Sequence, residues 1–317
     1  MELVVHALGI YGRKGTNLIL VRELNHNEAL RLCKAGEERV DKAPLVTLLK
    51  EHSLAKTWDE AVFAALREEF ASRKDVLRSI NMDLTKEALR LSADDDVLVC
   101  QTVSALDEIA RTAAGMTKKY REWYAYHLPE LERSIADHEV FVRESLHGKD
   151  ELMRGMRIKE SVGGSFSEPD IKSMLAFGKR ILDLYAERDR LKEYLETLLK
   201  RHAPNIQAVA GTQVGAKLIA AAGSVRRIAV SQSSYAQLLG AEMALFRHKK
   251  KNDARPPKHG LIIQHPFVAQ APRDQRGRAA RILADKIAIA ARIDYFRGEF
   301  AGASLAKGLT LENVKRR

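Results

Sequence analysis

Apolar positions follow two different periods along the chain. Leu3–Leu8 and Asn17–Leu24 are short runs with strand character, separated by Gly12-Arg-Lys-Gly15, and they read as a hairpin or a pair of sheet strands. Helical spacing then takes over. Pro44 opens Leu45–His52, Thr57 with Glu60 at the capping-box position precedes Ala61–Phe70, and Asp94-Asp-Asp96 opens a long run from Val97. Together these signals predict a small α/β domain over residues 1–116.

Residues 117–147 and 170–201 predict two charge-rich helices. In the second, Met174, Phe177, Ile181, Leu184, Arg188, Leu191, Leu195 and Leu198 repeat with 3-4-3-4 spacing, a coiled-coil seam of about three and a half heptads. Ser167, Pro169 and Asp170 mark its start with N-cap chemistry. The first helix supplies Tyr124, Leu128, Leu131, Ile135 and Val142 at similar spacing, interrupted by His138, and a long connection holding Gly148, Gly155, Gly163 and Gly164 follows. An antiparallel helical hairpin over 117–203 accounts for both; such a seam by itself serves only the fold.

Beyond Pro204 the chain is rich in Ala and Gly and reads as helical through Val214–Ala222, Tyr235–Phe246 and Gln275–Phe296, with strand character limited to Gly260–Gln264. Residues 204–317 are thus expected to form an all-α domain packed through small residues. The class is α+β, mostly α.

Length agrees with this division, because 317 residues exceed the ~250–300 at which one core usually stops growing. A 45% hydrophobic content excludes wholesale disorder. The net charge of +11 conceals an asymmetry: residues 204–317 carry 20 basic and 7 acidic side chains, whereas residues 1–203 carry 33 and 35. A surplus of that size on the last third is the footprint of a phosphate-backbone binder, although composition alone fits RNA, DNA, an acidic protein or a solvated surface equally. Two cysteines, Cys33 and Cys100, form neither a disulfide framework nor a zinc site, and a cytoplasmic protein is expected. The N-terminal run lacks a signal-peptide pattern and no stretch of 18 apolar residues occurs, so neither export nor a membrane span is expected.

Catalytic motifs find no match. Gly211-Thr-Gln-Val-Gly215-Ala-Lys217 has the wrong spacing for a phosphate loop, and Leu218 stands where that loop needs a hydroxyl. The ten histidines are scattered, leaving no metal-ligand set, and no nucleophile elbow or carboxylate pair is visible. Catalytic groups can converge from distant positions; on its motifs the chain reads as a non-enzyme without metal or cofactor.

The basic residues concentrate in Arg247-His-Lys-Lys-Lys251, continuing through Arg255 to Lys258-His259-Gly260, and in Arg273, Arg276, Arg278 and Arg281. A loop plus one face of the following helix makes a plausible backbone cradle for structured RNA, where shape and phosphates dominate recognition.

These residues carry a resemblance. Gly215-Ala-Lys-Leu-Ile219, Gln237-Leu-Leu-Gly-Ala-Glu242 with Ala244-Leu-Phe-Arg247, Pro257-Lys-His-Gly260, Gln264-His-Pro266, Gln275-Arg-Gly277 and Ala290-Ala-Arg-Ile-Asp-Tyr-Phe296 stand in the order of a Nop domain. Upstream, Arg121-Glu-Trp-Tyr-Ala-Tyr-His-Leu-Pro-Glu-Leu131 is similar to the signature that opens that family's coiled coil, and Leu184–Leu195 to its return helix. The whole resembles the archaeal fibrillarin-partner subunit of box C/D small ribonucleoproteins.

The resemblance implies a non-catalytic scaffold. Residues 1–116 would hold fibrillarin, the methyltransferase that carries S-adenosylmethionine. The coiled coil would pair two copies through Met174, Phe177, Ile181, Leu184, Leu191, Leu195 and Leu198. The last domain would clamp box C/D guide RNA already bound by the kink-turn-binding, ribosomal-protein-like subunit. RNA contacts are expected from Arg247, His248, Lys249, Lys258, His259, Arg273, Arg276 and Arg278, and contacts within the particle from Glu242 and Gln275. Met243 stands where the family commonly has Lys, removing one expected phosphate contact beside Arg247 and Lys249–Lys251. Ser231-Gln-Ser-Ser-Tyr235 departs from the usual Pro-Ser-Ser-Thr type, and the lysine-rich tail of eukaryotic relatives is missing. A coiled-coil adaptor whose basic end meets an acidic protein is the rival from another class, and an RNA-modifying catalyst in its own right is a third reading.

Overall fold

The computed structural model describes residues 2–6, 9–14, 17–29, 53–54, 67, 71–250, 255–296 and 298–310. Within it the chain divides into two units, Met1–Ala93 and Asp94–Arg317. The helices expected over Leu45–His52 and, apart from Arg67, Ala61–Phe70 lie outside the described residues.

In the first unit, β1 (Glu2–His6), β2 (Gly9–Lys14), β3 (Asn17–Glu23) and β4 (Ser53–Leu54) form a sheet in the order β3-β2-β1-β4. β2 pairs antiparallel with both β1 and β3, and β4 lies parallel to β1. The segment read as a separator between two strands is thus itself a strand, since Gly12 pairs with Leu3 and Ile19. Ile10 and Tyr11 are buried, as is Ile80 on α1 (Lys74–Ser92). An ion pair from Arg73 to Glu23 (3.0 Å) and a hydrogen bond between His26 and Asp83 (2.9 Å) tie this helix to the residues of and after β3.

The second unit begins with α2 (Asp95–Tyr124), capped by Asp94, whose carboxylate accepts the Val97 N–H. α2 packs antiparallel on α6 (Glu168–His202): Val99 and Val103 share a core with Leu195, Leu198 and Leu199, while Thr117 Oγ1 lies 3.1 Å from Tyr185 OH at the other end. The helices approach closely at Gly178, where a Cβ would sit 2.8 Å from the Tyr120 ring. Ser167 occupies the N-cap of α6 as expected, but its hydroxyl donates to Asp170 and caps no backbone N–H.

One expectation about this hairpin needs correcting. The first arm is α2, not a helix over 117–147, because the chain leaves the helix after Tyr124 and Pro129 opens a new one. α3 (Pro129–Ser134), α4 (His138–Glu144) and α5 (Lys149–Gly155) then fold over the tip. Tyr124, Leu128, Leu131 and Val142 meet there in a core with Tyr120, Phe141 and Met174. Arg121 holds the turn by donating to the Glu132 and Ile135 carbonyls, both at 2.7 Å, with its guanidinium 4.4 Å from the Phe141 ring centre. Met174, Ile181, Leu195 and Leu198 are buried within this chain and close its own hairpin, while Phe177, Leu184 and Leu191 are half-buried and keep part of their surface.

After the elbow at Ala203, α7 (Pro204–Ala222), α8 (Val225–Val230), α9 (Ser233–Leu238), α10 (Glu242–Lys250), a 3-10 turn (Leu261–Gln264), α11 (Pro266–Ala269), α12 (Arg276–Tyr295) and α13 (Gly302–Lys307) complete the unit. The strand character of Gly260–Gln264 becomes this 3-10 turn. α12 buries Ala279, Ala280, Ala284, Ala288, Ala290 and Ala291 around Leu283 and Ile287, the close packing its composition predicts. Gly211 stands inside α7 with φ 73°, kinking the helix where the failed phosphate-loop spacing lies. The core of this helical part is continuous with the base of α2 and α6. The boundary expected at 116/117 therefore falls inside α2, and the hairpin and the last helices form one unit.

Candidate nucleic-acid interface

The basic residues are positioned by one backbone crossing. α9 stops at Leu238, and Gly240 turns the chain with φ 82°, a left-handed conformation that favours glycine. Glu242 Oε1 accepts the Gly240 N–H at 2.7 Å and holds that turn. Residues 258–261 lie against it: Gly260 N–H donates to the Gln237 carbonyl (2.8 Å), Leu261 N–H to the Leu239 carbonyl (2.7 Å), and the Gln237 side-chain amide to the Lys258 carbonyl (2.7 Å). A Cβ at Gly260 would land on the Leu239 carbonyl, so the crossing requires glycine there.

This crossing delivers Lys258 to the start of α12. Its aliphatic stem lies over Gly277, where a Cβ would stand 3.2 Å from Lys258 Cδ. Arg276 is partly committed to the fold, since its Nε and an Nη donate to the Ala271 and Ala269 carbonyls, both at 3.2 Å, completing the end of α11. Burial, then the charges of Arg276 and Lys258, hold His259 below the usual imidazole range, so it is neutral at pH 7 and can both donate and accept. Arg273 is exposed in the preceding turn, Arg278 is half-buried in the first turn of α12, and Gln275 sits at its N-cap with Oε1 buried.

The structure thus gathers Lys258, His259, Gln275, Arg276 and, by sequence proximity, Arg273 and Arg278. Arg247, His248 and Lys249 occupy the last turn of α10, about 10 Å along the helix from the Glu242 turn. None of the residues of α10 is buried, and Met243 and Phe246 are exposed. Lys251 lies outside the described residues. Sequence reasoning missed Gln237 and Gly277, which fix where Lys258 points; a glycine directly after an arginine at a helix start was the available signal. The arrangement offers several cations and one neutral imidazole around a rigid turn, suited to phosphate oxygens and base or ribose edges.

A family model described as "Nop: snoRNA binding domain, fibrillarin" matches residues 105–313. The NOP5 family protein of Methanocaldococcus jannaschii is 34% identical over 255 residues, covering 74% of this chain and 61% of that protein. Nucleolar protein 58 of Candida albicans is 35% identical over 233 residues, covering 68% of this chain and 45% of its own length. Nucleolar protein 56 of Homo sapiens is 35% identical over 222 residues, covering 63% and 37%. The chain therefore spans between about two fifths and three fifths of these curated relatives.

Proposed function

The chain belongs to the Nop family, and on that premise we propose that it is the scaffold subunit of a box C/D particle that directs RNA-guided 2′-O-methylation. In this reading it bridges fibrillarin, which supplies S-adenosylmethionine and the chemistry, to guide RNA held by the kink-turn-binding subunit. The chain carries no catalytic group of its own and works in the cytoplasm. Arg247, His248, Lys249, Lys258, His259, Arg273, Arg276 and Arg278 contact RNA, while Glu242 and Gln275 contact the rest of the particle. Residues 1–116 hold fibrillarin.

The observation that carries this reading is the docking of Lys258 onto the Gly277 turn of α12, with His259 next to it in the chain. It holds cations beside a neutral imidazole on a hydrogen-bonded backbone crossing, the kind of preorganised surface that suits a preformed RNA kink. Reconstitution tests it. With fibrillarin, the kink-turn subunit and guide RNA, methylation is expected only when this chain is present. The Arg247→Glu, Lys258→Glu variant should assemble poorly on kink-turn RNA, with a salt slope shallower by about 2, while still binding fibrillarin. Unchanged RNA affinity across a salt titration would overturn the cradle.

A further inference from the structure

The elbow between α6 and α7 is joined by a cluster of charged side chains. His202, the last residue of α6, has Nε2 2.7 Å from Asp96 Oδ1 and Nδ1 3.9 Å from Asp95. The same Asp96 oxygen accepts the Val225 N–H at 3.0 Å, the first turn of α8. Arg201 donates to both Asp95 oxygens, at 2.5 and 3.2 Å. On the other side of the elbow, Asp294 near the end of α12 accepts the Asn205 N–H (3.0 Å), the Asn205 side-chain amide (2.7 Å) and the Ile206 N–H (2.9 Å). Asn205 Oδ1 in turn accepts the Ala301 N–H at 2.8 Å. Apart from Ile206 and Ala301, these residues line a cleft of about 530 Å³, so water reaches the joint.

We propose that this elbow is a proton-operated latch, in which the imidazolium of His202 clasps the start of α2 and, through Asp96, the start of α8, fixing the hairpin against the last helices. The charges facing His202 are Asp94, Asp95 and Asp96 from α2 and its cap, Arg201 beside it, and Asp294 from α12. With the proton on, two cations answer four carboxylates. With it off, Arg201 stands alone among them and the clasp keeps the hydrogen bond to the Asp96 carboxylate without the imidazolium's charge.

The hydrogen bond to Asp96 and the charges of Asp96, Asp95 and Asp94 hold the His202 imidazole above its ordinary value of 6.5, against the opposing cost of burial. A raised folded-state value means that stabilisation is complete below pH 6.5 and is lost as pH rises through the folded value. Burial raises Asp294 against the hydrogen bonds from Ile206 and Asn205, and because Asp294 is common to the wild type and His202→Gln, their comparison isolates the imidazole. The latch therefore tightens from pH 8.5 to pH 6, the opposite direction to the neutral, burial-lowered His259 and His265.

The test uses the full chain and three variants: His202→Gln, Asp96→Asn and the double variant, each followed by thermal unfolding between pH 6 and 8.5. Relative to His202→Gln, the wild-type midpoint should drop by about 2–4 °C as pH rises. The coupling between the two substitutions should be clear at pH 6 and small at pH 8.5. Amide exchange at Val225, corrected for intrinsic rates, should lose protection in the wild type over the same interval and stay level in His202→Gln. If the wild-type and His202→Gln midpoints run parallel in pH, or Val225 protection does not change, the latch is wrong. Should Asp96→Asn fail to fold, the His202→Gln comparison alone decides between these outcomes.

Discussion

Gly260 shows how one missing methyl shapes the interface. Its Cβ would strike the Leu239 carbonyl, so Gly260→Ala must push apart the strand-like crossing that presents Lys258 and His259. Overpacking of this kind costs about 1–3 kcal/mol, and urea unfolding should show it. RNA affinity measured on the folded variant should fall as well, although no charge has been removed. Gly277→Ala is expected to be gentler on stability, since the atoms it meets belong to the flexible Lys258 stem, but it should still weaken binding by tilting that lysine. Neither residue could be chosen from charge patterning. The cations were legible in the sequence because clustered Lys and Arg are conspicuous, whereas the glycines and Gln237 act through backbone crossings between segments some twenty positions apart.

At the scale of elements, the hairpin separates what periodicity reveals from what it hides. The 3-4 spacing of Met174–Leu198 correctly marks the buried stripe of α6, because a helix must turn its apolar positions toward one neighbour. The same spacing misleads over Tyr124–Val142, where residues three and four apart are brought together by three short helices wrapping one core. Pro129, at the first turn of α3, was the sign of a fresh start. Ile181→Ala should cost about 2–5 kcal/mol, read as a lower urea midpoint, because Ile181 is buried in this chain's own core. The tip also carries a pH response. His127 is 6% exposed, stacked on Phe166 with ring centres 5.5 Å apart, and burial, then the Lys149 charge, holds its imidazole below the ordinary value. A lowered folded-state value means stability present above pH 6.5 and lost as pH falls toward the folded value. The wild type should therefore lose more midpoint between pH 7 and 5 than His127→Phe, which keeps the stack without the proton.

For the molecule as a whole, the sequence-level division into a near-neutral portion and a basic end survives as a statement about charge, but not about structure. The basic helices share a continuous core with Val99 and Val103 at the base of α2, and that connection spans about a hundred residues, beyond the reach of local periodicity. A fragment of residues 94–317 should accordingly unfold cooperatively and keep its affinity for kink-turn RNA in the presence of the kink-turn subunit. A fragment beginning at residue 117 should instead aggregate, because it strips the partner from Leu195, Leu198 and Leu199. Equal solubility of the two fragments would contradict the single core.

The continuity of that core has a mechanical side. α6 holds 35 residues, a rod of about 50 Å at 1.5 Å per residue, and with α2 packed along it the pair meets the last helices at its Ala203 end. A tilt of about 5° at Ala203 would sweep its far end through about 4–5 Å, roughly the spacing between neighbouring strands. Whatever rides at the far end of this boom is thus aimed from its root. Side chains near Ala203 set a reach that no residue at the tip can adjust.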